Sequence, residues 1–311
     1  MSELSFDRVA IFGAGGPTGF HLATELLKGG SRVRVIGRRL DRLEAAFAGI
    51  DVETMATDAL DPTAAARAAD GCDLVVDCIG LPPDRMPDHP RTAESVANAA
   101  VAVGARCLQV SSFWAYLPIT GLPLNESHPR RGGVDYVRFR RAAEDVLQAA
   151  GAAIVNLPDF YGPKVHSSSL QQPLADAVAG KPMSWIGDGV TPREYVFVPD
   201  AMRTVAALAA RPEAYGERWI VPGAGPLTGS EVAAIAGEAL GRTVKLRSAG
   251  LWTLRLASLF IPSLRQFMPM VPFYLEPIAY DGSKLQALLG TQPVTSYTDG
   301  IRATLDWLLG D

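Results

Sequence analysis

Short apolar runs alternate with amphipathic, alanine-rich stretches through the first half of the chain. The apolar runs predict β-strands at Arg8–Phe12, Arg32–Ile36, Val52–Ala56, Leu74–Cys78, Arg106–Val110 and Ala153–Leu157. The stretches between them predict helices near Thr18–Lys28, Leu40–Ala48, Thr63–Ala69, Thr92–Val103 and Val137–Ala149. Strands that alternate with helices form parallel sheets, since each helix carries the chain back across the sheet. With right-handed crossovers, the pattern predicts a doubly wound parallel sheet of the α/β class.

The regular alternation stops after Pro158, where prolines recur at intervals up to Pro199. Proline interrupts helices and strands because it lacks a backbone N–H. Further on, Arg218–Val221 resembles one more buried strand and Leu227–Leu240 a helix. We therefore predict a first domain over residues 1–165, to which the strand near 218–222 returns, and a smaller, discontinuous substrate-binding lobe over residues 166–311.

The composition is that of a globular protein. Of the 311 residues, 48% are hydrophobic and 20% charged, and the mean hydropathy is +0.12, which excludes a disordered chain. The net charge of −4 lacks the basic excess that attracts phosphates, so no nucleic-acid partner is expected.

Three further absences follow from the sequence. The apolar stretch Val9–Phe12 is too short for a signal peptide, which favours a cytoplasmic location. The longest run without charges, between Arg106 and Glu126, contains polar residues and prolines, so no membrane insertion is expected. Three cysteines without C-x-x-C spacing and four scattered histidines predict neither disulfides nor a metal site.

A glycine-rich loop lies between the first predicted strand and the first predicted helix. Its glycines stand at Gly13, Gly16 and Gly19, with Pro17 and Thr18 between the last two. Glycines in this context allow a tight turn, close approach of the backbone to a pyrophosphate, and close packing of helix on sheet. The loop predicts a dinucleotide-binding site of the Rossmann type; a merely structural turn is the alternative.

The end of the second strand indicates which dinucleotide is bound. A site selective for NAD would place an acidic residue there, whereas this chain has Arg38 and Arg39. Guanidinium groups complement a 2′-phosphate, so NADP(H) is preferred and NAD(H) remains possible; an exposed basic turn is the alternative. Asp58, followed by Ala59, is a candidate acceptor for the adenine amino group. The end of the fourth strand should border the middle of the cofactor, at Cys78, Ile79 and Gly80.

Two further motifs resemble those of the extended short-chain dehydrogenases/reductases, a family that includes nucleotide-sugar epimerases and dehydratases and dihydroflavonol-type reductases. The stretch Leu108–Tyr116 resembles the catalytic serine segment, and Tyr136–Arg140 resembles its Tyr-x-x-x-Lys motif. The resemblance implies Ser112, Tyr136 and Arg140 as catalytic residues, with Arg140 in place of the lysine that binds the nicotinamide ribose. The glycine spacing of the first loop, G-x-x-G-x-x-G, also resembles that of this family.

The chemistry of these residues suits hydride transfer. A tyrosine has an ordinary pKa near 10, so a cation is needed nearby if the phenol is to act as a base at neutral pH. Arginine supplies the charge, but its planar group is larger than an ammonium and not equivalent to it. Ser112 would hydrogen-bond the substrate oxygen. A structural tyrosine, a decayed site, and a serine that only caps backbone groups are the alternatives.

Substrate contacts are also implied by the resemblance. The segment Leu157–Pro163 resembles a family turn that places Pro158 beside the nicotinamide and Tyr161 on the substrate side; Trp114 is a further candidate. Arg193 matches an arginine that contacts substrate phosphate in nucleotide-sugar enzymes. It could equally pair with a carboxylate, such as Glu194 or Asp200.

The apolar tract Leu251–Leu275 departs most from the family pattern. It could line a pocket for a lipophilic carbonyl compound, but a subunit contact or plain core is favoured. Arg255 and Arg265 oppose membrane insertion.

The sequence thus favours an NADP(H)-dependent oxidoreductase that acts on a carbonyl or secondary alcohol of a small-molecule substrate. A nucleotide-sugar epimerase or dehydratase is the second hypothesis, and a non-catalytic NADP(H)-binding regulator or scaffold is the third. A homodimer through the helices Thr92–Val103 and Val137–Ala149 is possible. Substrate identity, reaction direction and oligomeric state stay open.

Overall fold

The computed structural model of the protein describes residues 3–310. In that range the strands are β1 (Arg8–Phe12), β2 (Arg32–Gly37), β3 (Glu53–Ala56), β4 (Leu74–Asp77), β5 (Arg106–Ser112), β6 (Ala153–Leu157), β7 (Asp159–Tyr161), β8 (Met183–Ile186), β9 (Arg193–Phe197), β10 (Arg218–Ile220), β11 (Pro226–Leu227) and β12 (Leu246–Ala249). The α-helices are α1 (Pro17–Lys28), α2 (Leu40–Ala46), α3 (Pro62–Ala69), α4 (His89–Val103), α5 (Asp135–Ala149), α6 (Gln171–Val178), α7 (Val198–Ala209), α8 (Gly229–Ala239), α9 (Leu251–Ser258), α10 (Pro262–Phe267), α11 (Val271–Tyr274), α12 (Ser283–Leu289) and α13 (Tyr297–Leu309). Short 3₁₀ turns cover Pro83–Asp88, Phe113–Tyr116 and Pro212–Ala214.

Seven strands form one parallel sheet, in the order β10-β6-β5-β4-β1-β2-β3. The order reverses between β1 and β4, which are neighbours although two strands separate them in the chain. Chain connections leave β1 and β4 toward opposite sides, so a crevice opens where the carboxyl ends of these strands meet. The predicted doubly wound parallel sheet of Rossmann type is confirmed.

Helices cover both faces of this sheet, because alternate side chains of each strand point in opposite directions. On β1, Val9 and Ile11 belong to a core with α1 and α7, whereas Ala10 and Phe12 belong to a second core with α3, α4 and α5. A strand covered on both sides must be apolar at nearly every position. The strands therefore appear in the sequence as continuous apolar runs.

The element boundaries differ from the predicted ones by a few residues. Strand β5 extends to Ser112, two residues past the predicted end, because β6 continues to pair with it as far as Leu157. Helix α4 begins at His89 rather than Thr92. As a result Ser112 is the last residue of a central strand and faces the crevice end of the sheet.

Much of the described chain after β6 forms a further core, separate from the two cores on the faces of the sheet. Strand β9 lies between β7 and β11, and β8 pairs with β12. Tyr161, Leu174, Trp185, Tyr195 and Ile301 are among its buried residues. Strand β10 pairs with β6 at the edge of the large sheet. The division into domains at residue 165 stays a prediction.

The apolar tract 251–275 folds into the short helices α9, α10 and α11. Met270, Val271 and Tyr274 are buried, but five large apolar side chains are exposed: Trp252, Leu256, Leu259, Phe260 and Ile261. The interpretation of the tract as plain core is therefore wrong for α9 and the turn after it. Within residues 3–310, no helix has both the length and the hydropathy that a membrane crossing requires.

Candidate functional site

The loop between β1 and α1 is held close to its neighbours by two glycines that no other residue can replace without strain. Gly13 has φ +77°, and a Cβ there would lie 2.7 Å from the carbonyl oxygen of Cys78. A Cβ on Gly19 would lie 2.5 Å from Cα of Ala14. Both distances are shorter than van der Waals contact, so the loop lies flat on the crevice and α1 packs closely beneath it.

The beginning of α1 is suited to an anion. Its N-cap is Gly16, which has no side chain to accept hydrogen bonds from the first turn, and Pro17 follows as the first helical residue. The free N–H groups and the positive end of the helix dipole favour phosphate there. Gly13, Gly15 and Gly16 border the adjoining cleft without side chains, so the loop fits the pyrophosphate of a dinucleotide.

A cleft of about 680 Å³ continues from this loop along the crevice. Its lining contains most of the residues predicted to bind cofactor: Gly13, Gly16, Pro17, Thr18, Arg38, Arg39, Asp58, Ala59, Cys78, Ile79 and Gly80. Gly19 lies under the loop, and Ser112, Tyr136, Arg140 and Pro158 lie outside this lining. Several lining residues were not predicted: Arg42, Leu43, Thr57, Leu81, Arg85, Thr92 and Phe160.

One end of the cleft is basic. Arg38, Arg39 and Arg42 are exposed there, and Nε of Arg39 donates to Oδ1 of Asp41 at 3.1 Å. Asp58 lies opposite, with its Oδ1 accepting the N–H of Leu60 at 3.0 Å. Arg42 lies in the first turn of α2, three positions after Arg39, and this cluster of arginines was the signal in the sequence that could have revealed it.

Buried polar side chains lie beneath the middle of the cleft. Asp77 accepts the N–H of Ile79 at 2.9 Å and the side-chain amide of Gln109 at 3.0 Å. Burial raises the pKa of the Asp77 carboxyl, and those two hydrogen bonds oppose the rise. Burial also raises the pKa of the Cys78 thiol, which keeps it uncharged.

Arg140 reaches into this buried region from α5. Its Nε atom is buried without a hydrogen-bond partner. Burial lowers the pKa of Arg140, while the negative charges of Glu144 and Asp77 oppose that shift. Burial, with the charge of Arg140, lowers the pKa of His89 to about 2, so His89 is neutral. A buried N–H without a partner is costly unless a ligand or water completes its hydrogen bond, so Arg140 fits a cofactor-holding role.

Ser112 ends β5, and Tyr136 lies on α5 four residues before Arg140, on the same face of the helix. Oγ of Ser112 accepts the N–H of Trp114 at 3.3 Å. Tyr136 lies in the first turn of α5, and its hydroxyl donates to the carbonyl of Gln266 in α10 at 3.0 Å. Desolvation, with the charge of Asp84, raises the pKa of Tyr136. The phenol therefore keeps its proton at neutral pH.

The substrate side is aromatic. The indole N–H of Trp114 donates to the hydroxyl of Tyr274 at 3.1 Å, and that hydroxyl donates to Asp159 at 3.1 Å. Phe267 packs against both aromatic rings. Burial raises the pKa of the Asp159 carboxyl. These contacts join α11 and the turn after β5 into one aromatic wall with hydrogen-bonded polar groups behind it.

The guanidinium of Arg193 binds backbone carbonyls inside the protein. Its Nη1 donates to the carbonyls of Phe273 at 3.0 Å and Glu276 at 2.6 Å, and its guanidinium carbon lies 4.9 Å from the ring centre of Tyr274. These carbonyls, rather than the suggested carboxylates of Glu194 or Asp200, are its hydrogen-bond partners.

Tyr161, the other residue expected on the substrate side, is buried. It stacks on Tyr297 with ring centres 6.0 Å apart. Its ring therefore belongs to the core of the smaller region.

The model of the NAD dependent epimerase/dehydratase family matches residues 9–221, more than half of the chain. The chain belongs to that family. The match runs from the first residues of β1 to the end of β10, so it includes the glycine loop, the serine segment and the Tyr136 helix. The resemblance to extended short-chain dehydrogenases/reductases and the expectation of an NAD(P)-linked enzyme are confirmed at the level of the family.

Curated relatives of this family member differ in activity. This chain is 34% identical to a ceramide reductase of Caulobacter vibrioides over 162 residues. The matched residues make up 50% of this chain and 47% of that protein. It is 24% identical to a dTDP-glucose 4,6-dehydratase of Neisseria gonorrhoeae over 191 residues, which make up 59% of this chain and 53% of that protein. The chain thus spans about half the length of the curated relatives it matches.

Solved structures share the fold. A UDP-glucuronic acid 4-epimerase from Bacillus cereus, solved with NAD, has 17% identity and a TM-score of 0.80. The match covers 97% of this chain and 99% of that one. An epimerase from Methanothermobacter thermautotrophicus has 19% identity and a TM-score of 0.82, with coverage of 98% and 92%. At these identities the likeness concerns the fold alone.

A buried carboxylate that the sequence did not reveal connects the elements of this epimerase/dehydratase site. Glu144 of α5 accepts hydrogen bonds from Ser111 Oγ and Asn156 Nδ2, both at 2.6 Å, and from Arg130 at 2.9 Å. Asn156 also donates to the carbonyl of Ser112 at 3.1 Å. Glu144 therefore fixes β5 and β6 relative to the helix that carries Tyr136 and Arg140. A glutamate on the inner face of α5, eight residues after Tyr136, was the available signal.

Proposed function

We propose that this protein is an NADP(H)-linked reductase of a lipophilic carbonyl compound. One observation carries the choice of substrate class. Arg193, the residue that could bind the phosphates of a nucleotide sugar, donates instead to the carbonyls of Phe273 and Glu276 under the ring of Tyr274. The surroundings of Ser112 are aromatic, with Trp114 and Phe267 in contact. Such a wall favours an apolar substrate over a charged one.

The catalytic roles are assigned by chemistry. Tyr136 holds the proton that a substrate oxygen accepts, since its raised pKa keeps the phenol protonated at neutral pH. Ser112 donates a hydrogen bond to the same oxygen and shares its developing negative charge. Arg140 binds the nicotinamide ribose, and its buried Nε is a donor that has no partner within the protein. When bound, NADP(H) supplies or accepts the hydride.

The cofactor preference rests on the basic end of the cleft. Arg38 and Arg42 line it beside Arg39, and three guanidinium groups suit a 2′-phosphate better than a 2′-hydroxyl. Asp58 and Ala59 line the adenine side, and Pro158 lies buried at the end of β6. NAD(H) would bind to the same glycine loop more weakly.

The ceramide reductase of Caulobacter vibrioides supports a lipophilic substrate, since its name describes a reductase and ceramide is a lipid. The two proteins match over about half of each chain, so the specific lipid is not transferred with the likeness.

The test is NADPH oxidation by the purified protein, followed by absorbance with ketones and aldehydes of increasing chain length. We expect turnover that rises with chain length, and a decrease in kcat of about 10²- to 10⁴-fold for Tyr136→Phe. Tyr215→Phe is the matched control, because the Tyr215 hydroxyl also donates to a backbone carbonyl, that of Ala209 at 2.8 Å, outside the candidate site.

Three outcomes would contradict the assignment. Full turnover by Tyr136→Phe would remove the proposed proton donor. Tight calorimetric binding of a dTDP-sugar or UDP-sugar, without carbonyl reduction, would favour the epimerase or dehydratase hypothesis. NADPH binding without turnover of any carbonyl, also after Arg140→Lys, would favour a regulatory protein.

A further inference from the structure

Helices α9 and α10 pack on each other and leave one apolar face uncovered. We call residues 251–267 the apolar hairpin. Its outer side chains are unusually accessible for their size, with Trp252 77% and Phe260 81% exposed. Leu256, Leu259 and Ile261 complete the face, whereas the other large exposed apolar residues of the described chain are scattered singly. Contiguous exposed apolar surface marks a binding surface, unlike single exposed residues.

The inner side of the apolar hairpin touches the candidate site. The carbonyl of Gln266 accepts the hydroxyl proton of Tyr136, and Phe267 packs on Trp114. One short element therefore contacts the proposed proton donor on one side and the surroundings of the protein on the other.

The segment that carries this face is basic. The protein has a net charge of −4, yet residues 239–275 contain five basic residues and no acidic one. The guanidinium of Arg255 lies 4.9 Å from the ring centre of Trp252, and Arg265 donates to the carbonyls of Ser258 and Leu259. The basic groups thus border the apolar face and complement an anionic surface.

Segments that lie in the interface of a lipid bilayer have this composition, with Trp, Phe and Leu on one side and arginines at its border. A second copy of the chain fits less well. In a two-fold contact the same patch meets itself, so the arginines of the two copies would face one another without acidic partners.

We propose that the apolar hairpin docks this protein on the surface of a bilayer that contains anionic lipid, beside its contacts with Tyr136 and Trp114, so that a lipophilic substrate enters the candidate site from the bilayer. The inference rests on the proposed reductase function for its substrate, but not for the docking itself. Trp252, Leu256 and Phe260 enter the boundary between headgroups and acyl chains, while Arg255 stays at headgroup level.

The test is flotation of the full-length protein with vesicles of phosphatidylcholine alone or mixed with phosphatidylglycerol. We expect binding to the mixed vesicles that weakens with added salt. The double variant Trp252→Ser/Phe260→Ser should lose binding at least tenfold, and Arg255→Glu should lose on the order of tenfold on mixed vesicles only. The control is Val101→Ser/Val190→Ser, which removes side chains 65% and 64% exposed elsewhere and should bind as the wild type does.

Circular dichroism and NADPH binding verify that each variant is folded. Absence of wild-type protein from the floating fraction on both compositions would overturn the docking, as would equal flotation of the double variant. So would a dimer in sedimentation that the double variant converts to monomer without vesicle binding. Flotation without carbonyl reduction would leave the docking intact and reject the reductase, and reduction without flotation would do the reverse.

Discussion

The central sheet and the apolar hairpin depart from the usual distribution of side chains in opposite directions. Beneath the sheet ends, polar groups are buried: Asp77, His89 and Glu144 are almost inaccessible to solvent. In the hairpin, large apolar groups are exposed instead. Each arrangement costs free energy in a protein that only has to fold, and both border the candidate site. The difference teaches that the sheet supports the chemistry from inside, while the hairpin presents a surface to the surroundings.

The largest expected contrast is in stability, from the same substitution on a helix in each region. Leu22→Ala in α1 removes a side chain that is 1% exposed, and should reduce the free energy of unfolding by about 2–5 kcal/mol. Leu256→Ala in α9 removes one that is 64% exposed, and should change it by less than about 0.5 kcal/mol. Urea unfolding measures both. Equal losses would mean that the hairpin face is covered within the protein.

A second contrast concerns pH, through His89. Its pKa is about 2 in the folded protein against 6.5 for the ordinary side chain. Below pH 6.5 the unfolded chain binds a proton that the folded one does not, so stability is complete above pH 6.5 and is lost as the pH falls. Between pH 6.5 and 5 this amounts to roughly 2 kcal/mol.

The measurement is urea unfolding at pH 7 and pH 5 for the wild type and His89→Asn. Buried carboxyls with raised pKa, such as Asp77 and Glu144, stabilise the fold on acidification in both proteins, so the difference between the two isolates His89. We expect the wild type to lose about 2 kcal/mol more than the variant on acidification. An unchanged gap would show that His89 is protonated in the folded state.

The smallest contrast tests exposed groups of the sheet region. Arg38→Ala should raise the KM for NADPH about tenfold, since it removes one charged contact to the 2′-phosphate, and should leave the KM for NADH unchanged. Arg302→Ala is the control, an exposed arginine on α13 outside the cleft. Steady-state kinetics with both cofactors decide the matter. An equal rise for NADPH and NADH would remove the basis for a preference.

The sheet could be predicted from the sequence because both of its faces are covered, which makes the central strands mainly apolar. The glycine loop was equally informative, since Gly13 and Gly19 are required by contacts within a few residues of β1 and α1 or at the neighbouring strand end. Local chemistry of this kind is visible in a single sequence.

The tract after Gly250 could not be assigned from the sequence. An apolar helix has the same pattern whether its neighbour is core, substrate or lipid, and only the fold shows that Trp252 and Phe260 lack a covering element. The buried position of Glu144 could not be predicted for a similar reason. Its partners Ser111 and Asn156 come from two strands, and nothing in the spacing along the chain shows that they meet.

The hydrogen bond from Tyr136 to Gln266 has a consequence for which compounds can react. The proton that Tyr136 would donate is held by a backbone carbonyl of α10, so a substrate oxygen receives it only after that bond breaks. In the proposed reductase, a substrate that displaces α10 as it enters would free this proton by the same movement. The contact would then act as a size filter that favours bulky carbonyl compounds over small ones.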